Sequence, residues 1–254
     1  TTEIYTLSLH DALPISIVDF QTHHIHVKSV VLASYMLQHV FSAKTIVATL
    51  IGMAKEAEAR ISNPAYKQIF TSLMRYSQIS LALPESNRLD SAIAFYEGIK
   101  NLPSARTDPQ FWLQYAISCM AFGKLERAER YFADAYEFAK KRSSYNTYQI
   151  DNHYARFLLE KALLTPTVND AIEIVDHARK LVFPQLATEV RYLPYRVAIV
   201  FSGCYERFRS ELSPEQIIYF KRILVEITRS TEIVSKTLKS RYVIECLEKT
   251  SEAL

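Results

Sequence analysis

The chain of 254 residues is 49% hydrophobic and 22% charged, the balance of a packed protein, and its formal charge of +3 is mixed in sign along its length, which leaves no footprint for nucleic acid. Only four glycines are present (Gly52, Gly98, Gly123 and Gly203), too few and too scattered for the turns of a sheet protein or for a loop that cradles phosphate. Three distant cysteines, Cys119, Cys204 and Cys246, form neither a disulfide framework nor a zinc motif and suit a reducing cytoplasm; no run approaches the ~20 apolar residues of a membrane span.

The first sixteen residues, Thr1-Thr2-Glu3-Ile4-Tyr5-Thr6-Leu7-Ser8-Leu9-His10-Asp11-Ala12-Leu13-Pro14-Ile15-Ser16, resemble the in-frame translation of a common short-read sequencing adapter. The match implies that 1–16 are an unstructured artefact and that the natural protein is a fragment entered near Ile17. The alternative is a natural extension with a strand over Ile4–Leu9. Without Glu3 and Asp11 the formal charge becomes +5, still no nucleic-acid signature. A signal peptide is not expected in this segment, which lacks a basic start and an adequate apolar core.

Ile17–Gln21 is short and apolar and predicts a strand. From about Ile25 the period becomes helical, with Val27, Val30, Val31, Tyr35 and the run from Leu37 to Phe41 on one stripe. Ser42 can cap a second helix to about Ile61, and Asn63-Pro64 predicts another that runs to about Leu83 and stops before Pro84.

The centre carries the strongest pattern. Asp108-Pro109 starts a helix with Phe111, Trp112, Tyr115, Ala116 and Cys119; Gly123 ends it, and the next helix carries Ala128, Phe132 and Ala135. Trp112, Tyr115, Ala116, Gly123, Ala128, Phe132 and Ala135 fall at the signature positions of a tetratricopeptide repeat, where alanines permit close helix approach and aromatics fill the wedge between helices. The triplets Ala92, Tyr96, Ile99 and Ala171, Val175, Ala178 keep the same spacing at intervals of 36 and 43 residues. The expected fold is therefore all-α, a TPR-like solenoid of antiparallel helical hairpins over 63–254, with a generic amphipathic bundle as the alternative. Helices are also expected over Tyr148–Leu164, Val168–Phe183 and Tyr195–Glu211. Ser213-Pro214-Glu215-Gln216 then reads as a capping start for a helix with Ile217, Phe220, Ile223, Leu224 and Ile227 on its apolar face, and helix continues to about Glu252.

No GxSxG, HExxH, Walker or GxGxxG motif occurs, so neither catalysis nor a cofactor is expected of this chain. His23, His24 and His26 cluster without Cys and with Asp19 as the nearest carboxylate, which favours solvated or capping roles over a metal site. The helix near 150 has Ile150, Tyr154, Phe157 and Leu158 on its buried stripe. Gln149, Asn152, His153, Arg156 and Glu160 are left on the other side, either as a solvated face or as a groove facing a ligand. Gln149, Asn152, His153 and Arg156, with Arg196, are the candidate partner-binding residues.

Asp108–Ala116, Thr147–Phe157 and Leu193–Ala198 together resemble the C-terminal helical region of bacterial STAND-type NTPases, the signal-transducing ATPases that include antiphage defence proteins. The resemblance spans roughly 17–252. Phe20-Gln21-Thr22-His23-His24 is similar to the strand-to-helix corner of their winged-helix domain, where a histidine matched by His24 can face nucleotide; Gln21 and His23 replace the usual arginines. On this resemblance 17–62 ends a winged-helix-like region. The resemblance implies a sensor and oligomerisation scaffold for a protein or peptide partner, with ATP bound in an upstream part and no role for specific nucleic acid or membrane. A free-standing TPR-type adaptor is the alternative, and an enzyme the remotest.

Overall fold

A computed structural model of the chain describes residues 18–19, 26–27, 35–37, 39–186, 192–238 and 240–254. The described residues are helical apart from turns and one short ladder, in which β1 (Val18–Asp19) pairs antiparallel with β2 (His26–Val27), Val18 opposite Val27 and Asp19 opposite His26. The strand expected over 17–21 thus includes β1, whereas Val27, read as helical, is in a strand. A valine suits either period, and two residues are too few for periodicity to decide. Residues 1–16, His23 and His24 lie outside the described residues. Among the described helices none is long and apolar enough to cross a membrane.

The chain divides into two compact units after Thr107. In the first, α1 (Ala43–Ala59) begins at Ser42, whose hydroxyl accepts from the Thr45 amide at 3.1 Å, and α2 (Pro64–Met74) begins at Asn63, whose side chain accepts from the Ala65 amide. The single helix expected from Asn63 to Leu83 is broken: Arg75 is extended (φ −73°, ψ 118°) and α3 (Tyr76–Ala82) starts anew. The break has a partner from elsewhere in the unit. Tyr96 of α4 (Arg88–Ile99) donates its hydroxyl to the buried Met74 carbonyl at 2.9 Å, satisfying an acceptor that the helix would otherwise have used. Ala92, Tyr96 and Ile99 are fully buried, α4 packs on α1, and a Cβ on Gly98 would run into the Ile51 side chain. A one-turn helix, α5 (Pro103–Arg106), closes the unit.

The second unit is built from helices joined by short loops. α6 (Pro109–Ala121) is capped by Asp108, which accepts from the Gln110 amide, and packs along α7 (Leu125–Lys140). Their three-residue connection is a Schellman motif: the Gly123 amide donates to Met120 and the Lys124 amide to Cys119, both at 3.0 Å, with Gly123 at φ 67°. A Cβ at Gly123 would meet nothing within 4 Å, so Gly123→Ala should cost only the left-handed backbone, about 1–2 kcal/mol by urea unfolding. α8 (Tyr148–Leu163) packs with α9 (Val168–Val182) as a second hairpin; α10 (Leu193–Phe208) lies against α8, and α12 (Arg241–Ala253) against both α10 and α11 (Pro214–Ser235). α11 starts with a full capping box between Ser213 and Gln216.

Tyr115, Ala116, Ala128, Phe132 and Ala135 are fully buried, as are Ala171, Val175 and Ala178. Phe132 packs against both Tyr154 and Phe157, with centroids at 5.3 and 5.4 Å, and those two rings stack on each other at 5.9 Å. Trp112 departs from the expected core role: it is half-buried, stacked on Phe138 at 6.1 Å, and Phe111 beside it is fully buried instead. A helix start turns only one of two adjacent aromatics inward, and the residue types do not say which. The three thiols are buried, one each in α6, α10 and α12; burial pushes those of Cys204 and Cys246 up to about 12, slightly opposed at Cys246 by a hydrogen bond with Thr231.

Candidate functional site

α8 positions most of the expected partner-binding residues, and its neighbours decide which of them face outward. It packs against α9 on one flank and α10 on another, so its buried arc is broad: Tyr148, Ile150, Asn152, Ala155, Phe157, Leu158, Leu159 and Ala162. Asn152, expected on the polar face, is 2% exposed. Its amide donates to the Tyr148 carbonyl at 2.8 Å and to Gln185 at 3.2 Å, so it braces α8 against the turn that follows α9. Asn152 therefore leaves the candidate surface. Tyr154, expected on the buried stripe, is half-buried, with its ring edge-on to His177 of α9 at 6.0 Å.

The remaining candidates come together. Gln149 is exposed, while His153 and Arg156 follow it on α8, half-buried, and Arg196 enters from α10. Arg156 is held by Glu160, Nε to carboxylate at 2.8 Å, an i,i+4 pair that fixes the guanidinium along the helix. Arg196 lies over the ring of Tyr242 from α12, 4.9 Å from its centroid, and Tyr242 stacks on Tyr192, which precedes α10, at 5.2 Å. Three successive helices of one layer thus contribute to one polar and aromatic face. Sequence reading missed Tyr242 and Tyr192; they lie 50 residues apart, Tyr242 is 46 residues from Arg196, and no motif links them.

The electrostatics of the face are set by His153. Burial first, then the Arg156 and Arg196 guanidiniums, push its imidazole down to about 4, so it is neutral at ordinary pH. A neutral imidazole beside two guanidiniums can donate or accept one hydrogen bond without adding to the charge.

A second polar cluster, between α9 and α11, has a different character. Tyr219 of α11 donates to Asp176 of α9 at 2.6 Å, and Arg179 and Lys180 bond to the same carboxylate at 3.0 and 2.6 Å. Burial raises the Asp176 carboxyl, but these hydrogen bonds outweigh it and bring the group to about 2. The cluster joins two helices and is already satisfied, which marks it as structural.

Among the described residues no group of three or more His, Cys, Asp or Glu could hold a metal. His24, expected to face nucleotide, lies outside them. Comparison of the chain with known protein families, with curated proteins and with solved structures finds no match.

Proposed function

We propose that the chain is a non-catalytic protein-interaction scaffold of tetratricopeptide-like helical hairpins, the sensor region of a larger signal-transducing NTPase of STAND type. The observation that carries this reading is the face shared by α8, α10 and α12. Side-by-side helices carry Gln149, His153, Arg156 and Arg196, half-buried or exposed, on one helical layer. Such a layer binds by shape and donor placement rather than by chemistry, as helical-repeat grooves do. The burial of the repeat-type alanines and of Phe132 supports the hairpin register, and the motifs Asp108–Ala116, Thr147–Phe157 and Leu193–Ala198 support the wider context. The activating partner in this reading is a protein or peptide, and ATP belongs to an upstream part.

The test is site-specific photocrosslinking. A photoreactive residue at Gln149 should capture a discrete partner, whereas the same residue at Ile233, exposed on α11, should not. Arg156→Gln with Arg196→Gln should lower capture at least tenfold at unchanged helicity. Equal capture from both positions, or capture indifferent to the double variant, removes this face as the binding surface.

A further inference from the structure

The charge on this face is unbalanced. Glu160 serves Arg156 at 2.8 Å, but Arg196 pairs with no carboxylate among the described residues; the ring of Tyr242 lies beneath it instead. A guanidinium held over an aromatic face keeps its in-plane N–H donors for an anion, and the planar fork matches a carboxylate. His153, which feels both guanidiniums, cannot supply the missing negative charge, being neutral or cationic in every state. Tyr192, 46% exposed and stacked on Tyr242, extends the platform outward.

We propose that this face receives an acidic, extended segment of a partner protein, with a carboxylate of that segment seated on Arg196 beside His153. The inference rests on the scaffold reading above and adds the chemistry of the partner. Complementarity argues for a peptide: with Arg156 paired to Glu160 and His153 neutral, the local surplus of one cation answers a carboxylate side chain. A nucleic-acid strand, with a charge at every phosphate, asks for a longer basic track. Arginine over tyrosine also discriminates by direction, since it accepts an acidic side chain and repels a basic one.

Three blocked hexapeptides, hexaglutamate, hexaglutamine and hexalysine, titrated into the full chain at low salt provide the test, read by the His153 imidazole resonances and by calorimetry. Hexaglutamate is expected to bind at least tenfold more tightly than the other two and to shift those resonances. Arg196→Gln should lose that margin, and Arg229→Gln, an exposed arginine of α11, should keep it. Equal affinity for hexaglutamine, or equal loss in the Arg196 and Arg229 variants, overturns the proposal. So does tighter binding of hexathymidylate, which would assign the face to nucleic acid, and so does self-association abolished by Arg196→Gln, which would assign it to a second copy. Crosslinking through Gln149 that persists while hexaglutamate fails removes the acidic partner and leaves the scaffold reading standing; failure of both removes both.

Discussion

Phe132→Ala is expected to lower the unfolding free energy of the second unit by about 3–5 kcal/mol, whereas Trp112→Ala costs only about 1–2 kcal/mol. Phe132 is fully buried against Tyr154 and Phe157, so truncation leaves a void where α7 and α8 converge. The surrounding helices cannot fill it, because Ala128 and Ala135 already bring the backbones close. Trp112 is half-buried and loses ring contacts with Phe111, Tyr131 and Phe138, but leaves its space open to solvent rather than as an enclosed void. It is also the sole tryptophan of the chain, so its fluorescence in urea reports the second unit directly for the phenylalanine variant, and circular dichroism serves for its own. Similar losses at both positions would mean that Trp112 and not Phe111 fills the wedge.

Acid should destabilise the chain through His153 before its carboxylates respond. The imidazole titrates near 4 when folded and near the ordinary 6.5 when unfolded, so between these values the unfolded state binds more protons. Stability contributed by the neutral imidazole is therefore complete above pH 6.5 and falls as pH drops, by about 2 kcal/mol at pH 5 and about 3 kcal/mol at pH 4. The cause is burial first, then repulsion from Arg156 of the same helix and Arg196 of α10. His153→Gln keeps a neutral hydrogen-bonding side chain and should flatten urea midpoints between pH 7 and 5. An unchanged slope in that variant places the sensitive group elsewhere. Asp176 contributes in a separate window, since its stabilisation is lost only as pH falls from about 4 towards 2.

Much of the architecture is legible wherever a helix announces its own start. Ser42, Asn63, Asp108 and Ser213 are read from the sequence as caps, and each accepts from the helix it opens. Gly123 is legible as a stop for the same local reason, because only a residue free of Cβ enters that backbone region cheaply. What escapes is decided by neighbours. The break at Arg75 follows no proline or glycine, and its stabilising contact comes from Tyr96, far along the chain. Asn152 looks like a surface residue because amides usually are; it is buried because α8 is flanked on more than one side, which widens its apolar arc beyond a single stripe. The proposed face is half legible: Gln149, His153 and Arg156 share a helix and Arg196 is a candidate with them, but Tyr242 and Tyr192 join them only through packing of α10 with α8 and α12.

The placement of the thiols, one in each of α6, α10 and α12 and all enclosed, gives the chain a built-in reporter of its own breathing. A thiol near 12 is a thiolate to only about one part in ten thousand at pH 8, and an enclosed one meets no reagent until its helix parts from the layer. Alkylation followed by mass spectrometry would thus time local opening at three separate places in the unmutated protein. The same inertness lets a cysteine introduced at an exposed position be tagged selectively, with the native three left in place.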